Sequence, residues 1–151
     1  MSLLASIRPD SWNYALLLHV GGAMILVGGV LTAASALAFA RGDVRMLRLG
    51  YFSLLAVALP AWVAMFAGGM WIYSKEGLDN GSIDFAWAAI GFIVAEAGGA
   101  LLLVALILGG IGVRRLSSGR GTGLLKTTMG ISILLLAAYV VAIWAMSAKP
   151  T

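Results

Sequence analysis

The chain has 151 residues, 62% of them hydrophobic and only 11% charged, with 20 glycines and no cysteine; its mean hydropathy is +1.02. Soluble domains run near roughly 45–50% apolar and about 25% charged, and a chain this short has too much surface for its volume to hide so many apolar residues from water, so the composition implies one all-α integral membrane domain. The net charge of +4 does not mark a nucleic-acid binder, because the charges sit in short loops between apolar runs, and the lack of cysteine excludes disulfides, thiolate metal sites, iron–sulfur clusters and covalently attached haem.

Residues 1–11 form a short mixed lead-in in which Pro9, Asp10 and Ser11 suit a turn and a helix cap. The first span, residues 12–40, carries no charge. A signal peptide has an apolar core of about 7–15 residues with basic residues before it; here the core is far longer and the basic residues follow, so the span reads as retained. Arg41, Arg45 and Arg48, offset by Asp43, make a basic turn with Gly42 as its breaker. The second span covers 49–73, with Pro60 in its middle predicting a kink. Residues 74–84 are the most polar stretch, and Asp79-Asn80-Gly81 is a turn signal. The third span, 85–113, holds one charge, Glu96. Leu116 to Leu125, with Ser117-Ser118-Gly119-Arg120-Gly121, has no periodicity and reads as a flexible loop before the fourth span at 127–147.

Four spans make an integral membrane four-helix bundle with both termini on one side. Arg41, Arg45, Arg48, Arg114, Arg115, Arg120 and Lys126 fall in the first and third connections, whereas Lys75 in the middle one is outweighed by Glu76, Asp79 and Asp84. By the positive-inside rule the first and third connections are cytoplasmic and the termini outside. Trp12, Tyr14, Trp71, Tyr73, Phe85, Trp87 and Trp144 then form one outer aromatic belt. Trp62, near mid-membrane, reads as packing.

Two polar residues interrupt the apolar spans, each with the same Gly-Gly-Ala close behind it: His19, before Gly21-Gly22-Ala23, and Glu96, before Gly98-Gly99-Ala100. The match suggests two pseudo-repeated helical hairpins related by an axis along the membrane normal. At about 100° per residue, His19 shares a face with Gly22, Ala23 and Leu26, and Glu96 with Gly99, Ala100 and Leu103. These small-residue faces are expected to meet other helices closely. A carboxylate in hydrocarbon costs at least about 2.5 kcal/mol on insertion scales, so Glu96 is expected to face protein or water. The repeat would place His19 and Glu96 opposite each other, near enough to share a proton.

The polar inventory is small. One histidine and one intramembrane acid cannot close a zinc site, there is no P-loop or HExxH pattern, and no catalytic residue is assigned. His19 is a candidate haem or metal ligand, or an interhelical hydrogen-bonding group, or a proton relay. Glu96 is either a register-fixing carboxyl or a proton- or cation-handling group. Met24 and Met70 are soft donors in the outer half.

The run Leu17-Leu18-His19-Val20-Gly21-Gly22-Ala23 continuing to Gly28-Gly29 resembles the opening helix of copper-resistance-D-like and related small bacterial four-helix membrane proteins. The resemblance covers some 20 residues. It implies a bacterial inner-membrane location and, at His19, a ligand for b-type haem or copper. The reading that follows is a small accessory membrane protein acting through helix contacts, in a larger complex or a homo-oligomer, with the lipid bilayer and other membrane subunits as partners. Two others stay open: a haem- or metal-binding redox protein using His19, and a proton-coupled transporter using Glu96.

Overall fold

The computed structural model describes residues 11–75 and 86–148; the cap expected at Asp10 and the Asp79-Asn80-Gly81 turn lie outside the described residues. The architecture is all-α. Helix α1 spans Ser11–Phe39. Helix α2 spans Val44–Ser53 and runs through one π-helical turn, Leu54–Ala58, into α3, Leu59–Lys75. Helix α4 spans Ala86–Arg115, a short 3-10 turn follows at Leu116–Ser118, and α5 spans Thr122–Ala148. These make four segments long and apolar enough to cross a bilayer. No more than 33% of the most apolar window in any of them is buried, so the remaining apolar surface needs lipid around it.

The helices extend further into the charged connections than hydropathy indicates. Asp43 caps α2, its carboxylate accepting from the Arg45 N–H at 2.8 Å, which starts the helix five residues ahead of the apolar run. Arg41 and Gly42, at φ 44° and 91°, reverse the chain in the left-handed region. The second connection of this kind is not the flexible loop that its composition suggests. Ser117 and Ser118 donate to the carbonyls of Arg114 and Arg115, Gly119 and Gly121 take φ of 68° and 111°, and α5 begins at Thr122. Helix-end carbonyls are satisfied and only glycines enter the strained backbone region, so the turn is tight.

Pro60 is accommodated by the π-helical turn directly before it. The Leu59 N–H reaches back to the Leu54 carbonyl, a wider turn that relieves the clash between a proline ring and the carbonyl four residues earlier.

In section, α1 packs along α3 and α4 along α5, and the α1–α5 seam joins the two hairpins; α3 and α4 barely meet. Leu26, Val30 and Ala33 of α1, Ala58, Ala61 and Met65 of the second span, Leu102 and Ala105 of α4, and Leu135 and Tyr139 of α5 form the main core. A second cluster of Leu37, Ala40, Leu47 and Leu125 ties together the helix ends that carry the two basic turns. All seven basic residues of those turns therefore sit at one end of the bundle, and all are exposed.

Candidate functional site

The first site is built where α1 crosses α3. A methyl on Gly22 would lie 2.6 Å from the Met65 backbone nitrogen, and one on Gly68 would strike the His19 backbone; only glycine at both places lets the helices run this close. The closeness aims His19 at α3. Its Nδ1 lies 2.9 Å from the Met65 carbonyl oxygen. A carbonyl oxygen can only accept, so Nδ1 carries the proton, and in the neutral ring Nε2 is the nitrogen with the free lone pair.

His19 lines a cavity of about 280 Å³ between α1, α3, α4 and α5. Its wall is almost entirely apolar, with Phe66, Tyr73 and Phe92 among its rings and Met65, Met70 and Met146 supplying thioethers. Tyr139 also lines it; this side chain is 4% exposed, and among the described residues its hydroxyl has no hydrogen-bond partner. The seam between α3 and α4 on this side is spanned by two contacts. The Trp62 indole N–H donates to the Ala95 carbonyl at 2.9 Å, and Tyr73 meets Phe92 edge to face at 5.1 Å. Trp62 thus does more than fill space, and its signal was legible: a mid-membrane indole N–H requires an acceptor. Gly99 lies beneath the indole ring, where a Cβ would overlap it.

The second site lies on the opposite side of α4. Glu96 is exposed, on a stripe with Ile93, Ala97, Ala100, Leu103 and Ile107, all exposed as well. At 1.5 Å per residue it sits about 13 Å below Trp87, well inside the apolar span, and among the described residues it has no hydrogen-bond or ion-pair partner. Two expectations are corrected. Glu96 does not face the protein interior, and His19 and Glu96 do not pair. The cause is the phase of the repeated motif. In α1 the second glycine, Gly22, meets the hairpin mate α3; in α4 it is the first, Gly98, that meets its mate, against the Tyr139 ring, while Gly99 meets Trp62 of the other hairpin. A one-residue shift turns the helix by about 100°, enough to carry the position equivalent to His19 onto the lipid side.

The other anticipated residues separate in the same way. Ala23 is half-buried and packs on the main core. Ala100 shares the exposed stripe of Glu96 and is not among the residues packed on the main core. Met24 is 72% exposed and points away from the cavity that holds His19, which removes it as a donor beside that ring; Met70 stays on the cavity wall, joined by Met65 and Met146, which sequence reasoning did not single out.

The residues present discriminate between the cofactors considered. Haem would bring two propionates to a wall without a lysine or arginine, a poor fit. A metal ion would find one imidazole nitrogen and thioether sulfur, the soft set that copper(I) favours; among the described residues no three His, Cys, Asp or Glu side chains cluster. Comparison with protein families, with curated proteins and with solved structures finds no match to this chain.

Proposed function

We propose that the chain is a small accessory protein of the bacterial inner membrane, acting by laying the outward face of α4 against a second copy of itself. The observation that carries this reading is the position of Glu96, an unpartnered carboxyl on a lipid-facing stripe at about 13 Å depth. An acid there is stable only beside another polar group. Among the described residues no lysine or arginine lies at that depth, since those of the two turns gather at one end of the bundle and Lys75 ends α3. A parallel second copy brings an identical carboxyl to the same level across a two-fold axis, and two carboxyls sharing protons satisfy each other in hydrocarbon. Ala97 and Ala100, exposed beside Glu96, let the helices approach closely enough for that bond. The clustering of Arg41, Arg45, Arg48, Arg114, Arg115, Arg120 and Lys126 supports a cytoplasmic position for that end and an outside position for both termini.

Because the chain has no native cysteine, the test is direct. Ala100→Cys in membranes should form an oxidative cross-link at the mass of a dimer. Combining it with Glu96→Gln, whose amide still donates and accepts, should keep the cross-link, and combining it with Glu96→Leu should lose most of it. Cross-linking that is absent throughout, or that ignores Glu96→Leu, refutes self-association through this face; capture of a different membrane subunit in its place would keep the accessory role and reassign the partner.

A further inference from the structure

We propose that the cavity beside His19 binds a membrane-soluble phenol or quinol, whose hydroxyl donates to His19 Nε2. The inference is independent of the α4 face, since it rests on the inward side of the bundle. Besides the Tyr73 hydroxyl and the Trp87 indole, the cavity wall carries two polar side chains, His19 and Tyr139. His19 Nδ1 is committed to the Met65 carbonyl, which leaves Nε2 as an acceptor. Trp62, at the α3–α4 seam, has its N–H committed to Ala95. The Tyr139 hydroxyl, on a side chain 4% exposed and packed against Gly98, has no hydrogen-bond partner among the described residues. Buried polar groups are ordinarily satisfied, and an exception calls for a missing partner.

The partner that meets both needs supplies an O–H for the imidazole and, with the Tyr139 ring turned off Gly98 toward the cavity, an oxygen lone pair for the tyrosine. A hydroxylated ring does so. A saturated lipid chain matches the apolar wall but leaves both groups unmet, and a phosphate headgroup would find no lysine or arginine there. The dimensions favour a ring over a larger cofactor: about 280 Å³ lies at the small end of the roughly 300–1,000 Å³ typical of ligand pockets. Phe66, Tyr73 and Phe92 present aromatic surface to it. The weak α3–α4 seam gives such a molecule a lateral way in from the bilayer, and a place for its apolar tail to leave by.

The test uses the full chain in lipid nanodiscs at pH 8, kept anaerobic, titrated with decylubiquinol and with its dimethyl ether, which has the same shape and no O–H. The quinol is expected to bind saturably and the ether about tenfold more weakly, the loss that accompanies one hydrogen bond to a buried partner. His19→Phe should bring the quinol down to the level of the ether. Ala142→Phe, which fills the cavity from α5, should abolish binding of both while the thermal midpoint holds. Tyr139→Phe should weaken quinol binding severalfold without lowering the midpoint of the ligand-free protein, a combination that a purely structural hydroxyl would not give. Equal affinity of the unmodified protein for quinol and ether, or no saturable quinol binding, overturns the proposal with no variant needed; unchanged binding in Ala142→Phe overturns its placement in this cavity.

Discussion

Gly21 and Gly22 are adjacent in α1 and chemically identical, yet the structure assigns them opposite sensitivities. A methyl at Gly21 meets nothing within 4 Å. A methyl at Gly22 would lie 2.6 Å from the Met65 nitrogen, 2.9 Å from its Cα and 3.0 Å from the Ala61 carbonyl oxygen, against an ordinary contact of 3.4 Å or more. All three atoms are backbone, so no side chain can rotate away and α3 must retreat by about 0.8 Å in a close-packed interior. Alanine is favoured over glycine in a helix interior by about 1 kcal/mol, and that gain applies at both positions. At Gly21 it stands alone, so Gly21→Ala should be neutral or stabilising by up to about 1 kcal/mol. At Gly22 it is opposed by overpacking of about 1–3 kcal/mol, nearer the upper figure because the obstacle is rigid. The two variants should therefore differ by about 2–3 kcal/mol, some 4–12 °C in thermal midpoint at about 2–4 °C per kcal/mol. Circular dichroism melts of the two proteins in the same detergent measure this directly. If Gly22→Ala melts within about 1 °C of Gly21→Ala, the close crossing of α1 on α3 is wrong. The aim of His19 at Met65 falls with it, since both depend on the same crossing.

Two further outcomes follow from the same coordinates. Trp62→Phe keeps the ring over Gly99 but removes the indole bond to Ala95; it should cost about 1 kcal/mol and raise amide hydrogen exchange along the α3–α4 seam, and exchange unchanged from the parent protein would show that the bond holds nothing. In intact cells, Ser74→Cys should react with an impermeant maleimide and Ser118→Cys should not; the reverse pattern would invert the orientation argued from the seven clustered basic residues.

The spans were legible because hydropathy reports the bilayer, but the helix ends were not, because hydropathy does not report helicity. Arg45, Arg48, Arg114, Arg115 and Lys126 are all helical. Arginine and lysine are good helix formers, and the helices run on past the apolar limit until a cap or a left-handed residue stops them. The tight turn at Gly119 and Gly121 was obscured for a related reason. Its serines and glycines are the same residues that make flexible linkers, and only their pairing with the carbonyls of Arg114 and Arg115 turns them into a stop. The inward aim of His19 agrees with the face it shares with Gly22, Ala23 and Leu26, although Gly21 and Gly28 lie on the open side of α1. In α4 small residues lie on both sides, with Gly91, Gly98 and Gly109 buried and Ala97 and Ala100 exposed. Residue size there does not select a face, and the direction of Glu96 was open until the helix was docked.

That ambiguity is itself informative about how the two hairpins divide their work. An α4 with small residues on one side serves only the bundle; an α4 with small residues on both sides also has room for a neighbour outside it. Inside, Gly98 takes the Tyr139 ring of α5 and Gly99 takes Trp62 of α3. Outside, Ala97 and Ala100 lie beside a carboxyl that no group among the described residues satisfies. A lipid-facing stripe gains nothing from alanine, since lipid packs as well on leucine, and it loses by carrying an acid. Both departures occur on the same face at the same depth, and a helix from a second copy accounts for the two together, the alanines by letting it approach and the acid by giving it something to bond. On α1 the same motif, turned by one residue, points its polar group inward and leaves Leu17, Met24 and Leu31 to the lipid. Both hairpins line the cavity, but only the first turns its polar group toward it while the second turns Glu96 outward, which is why His19 and Glu96 belong to two sites and not to one.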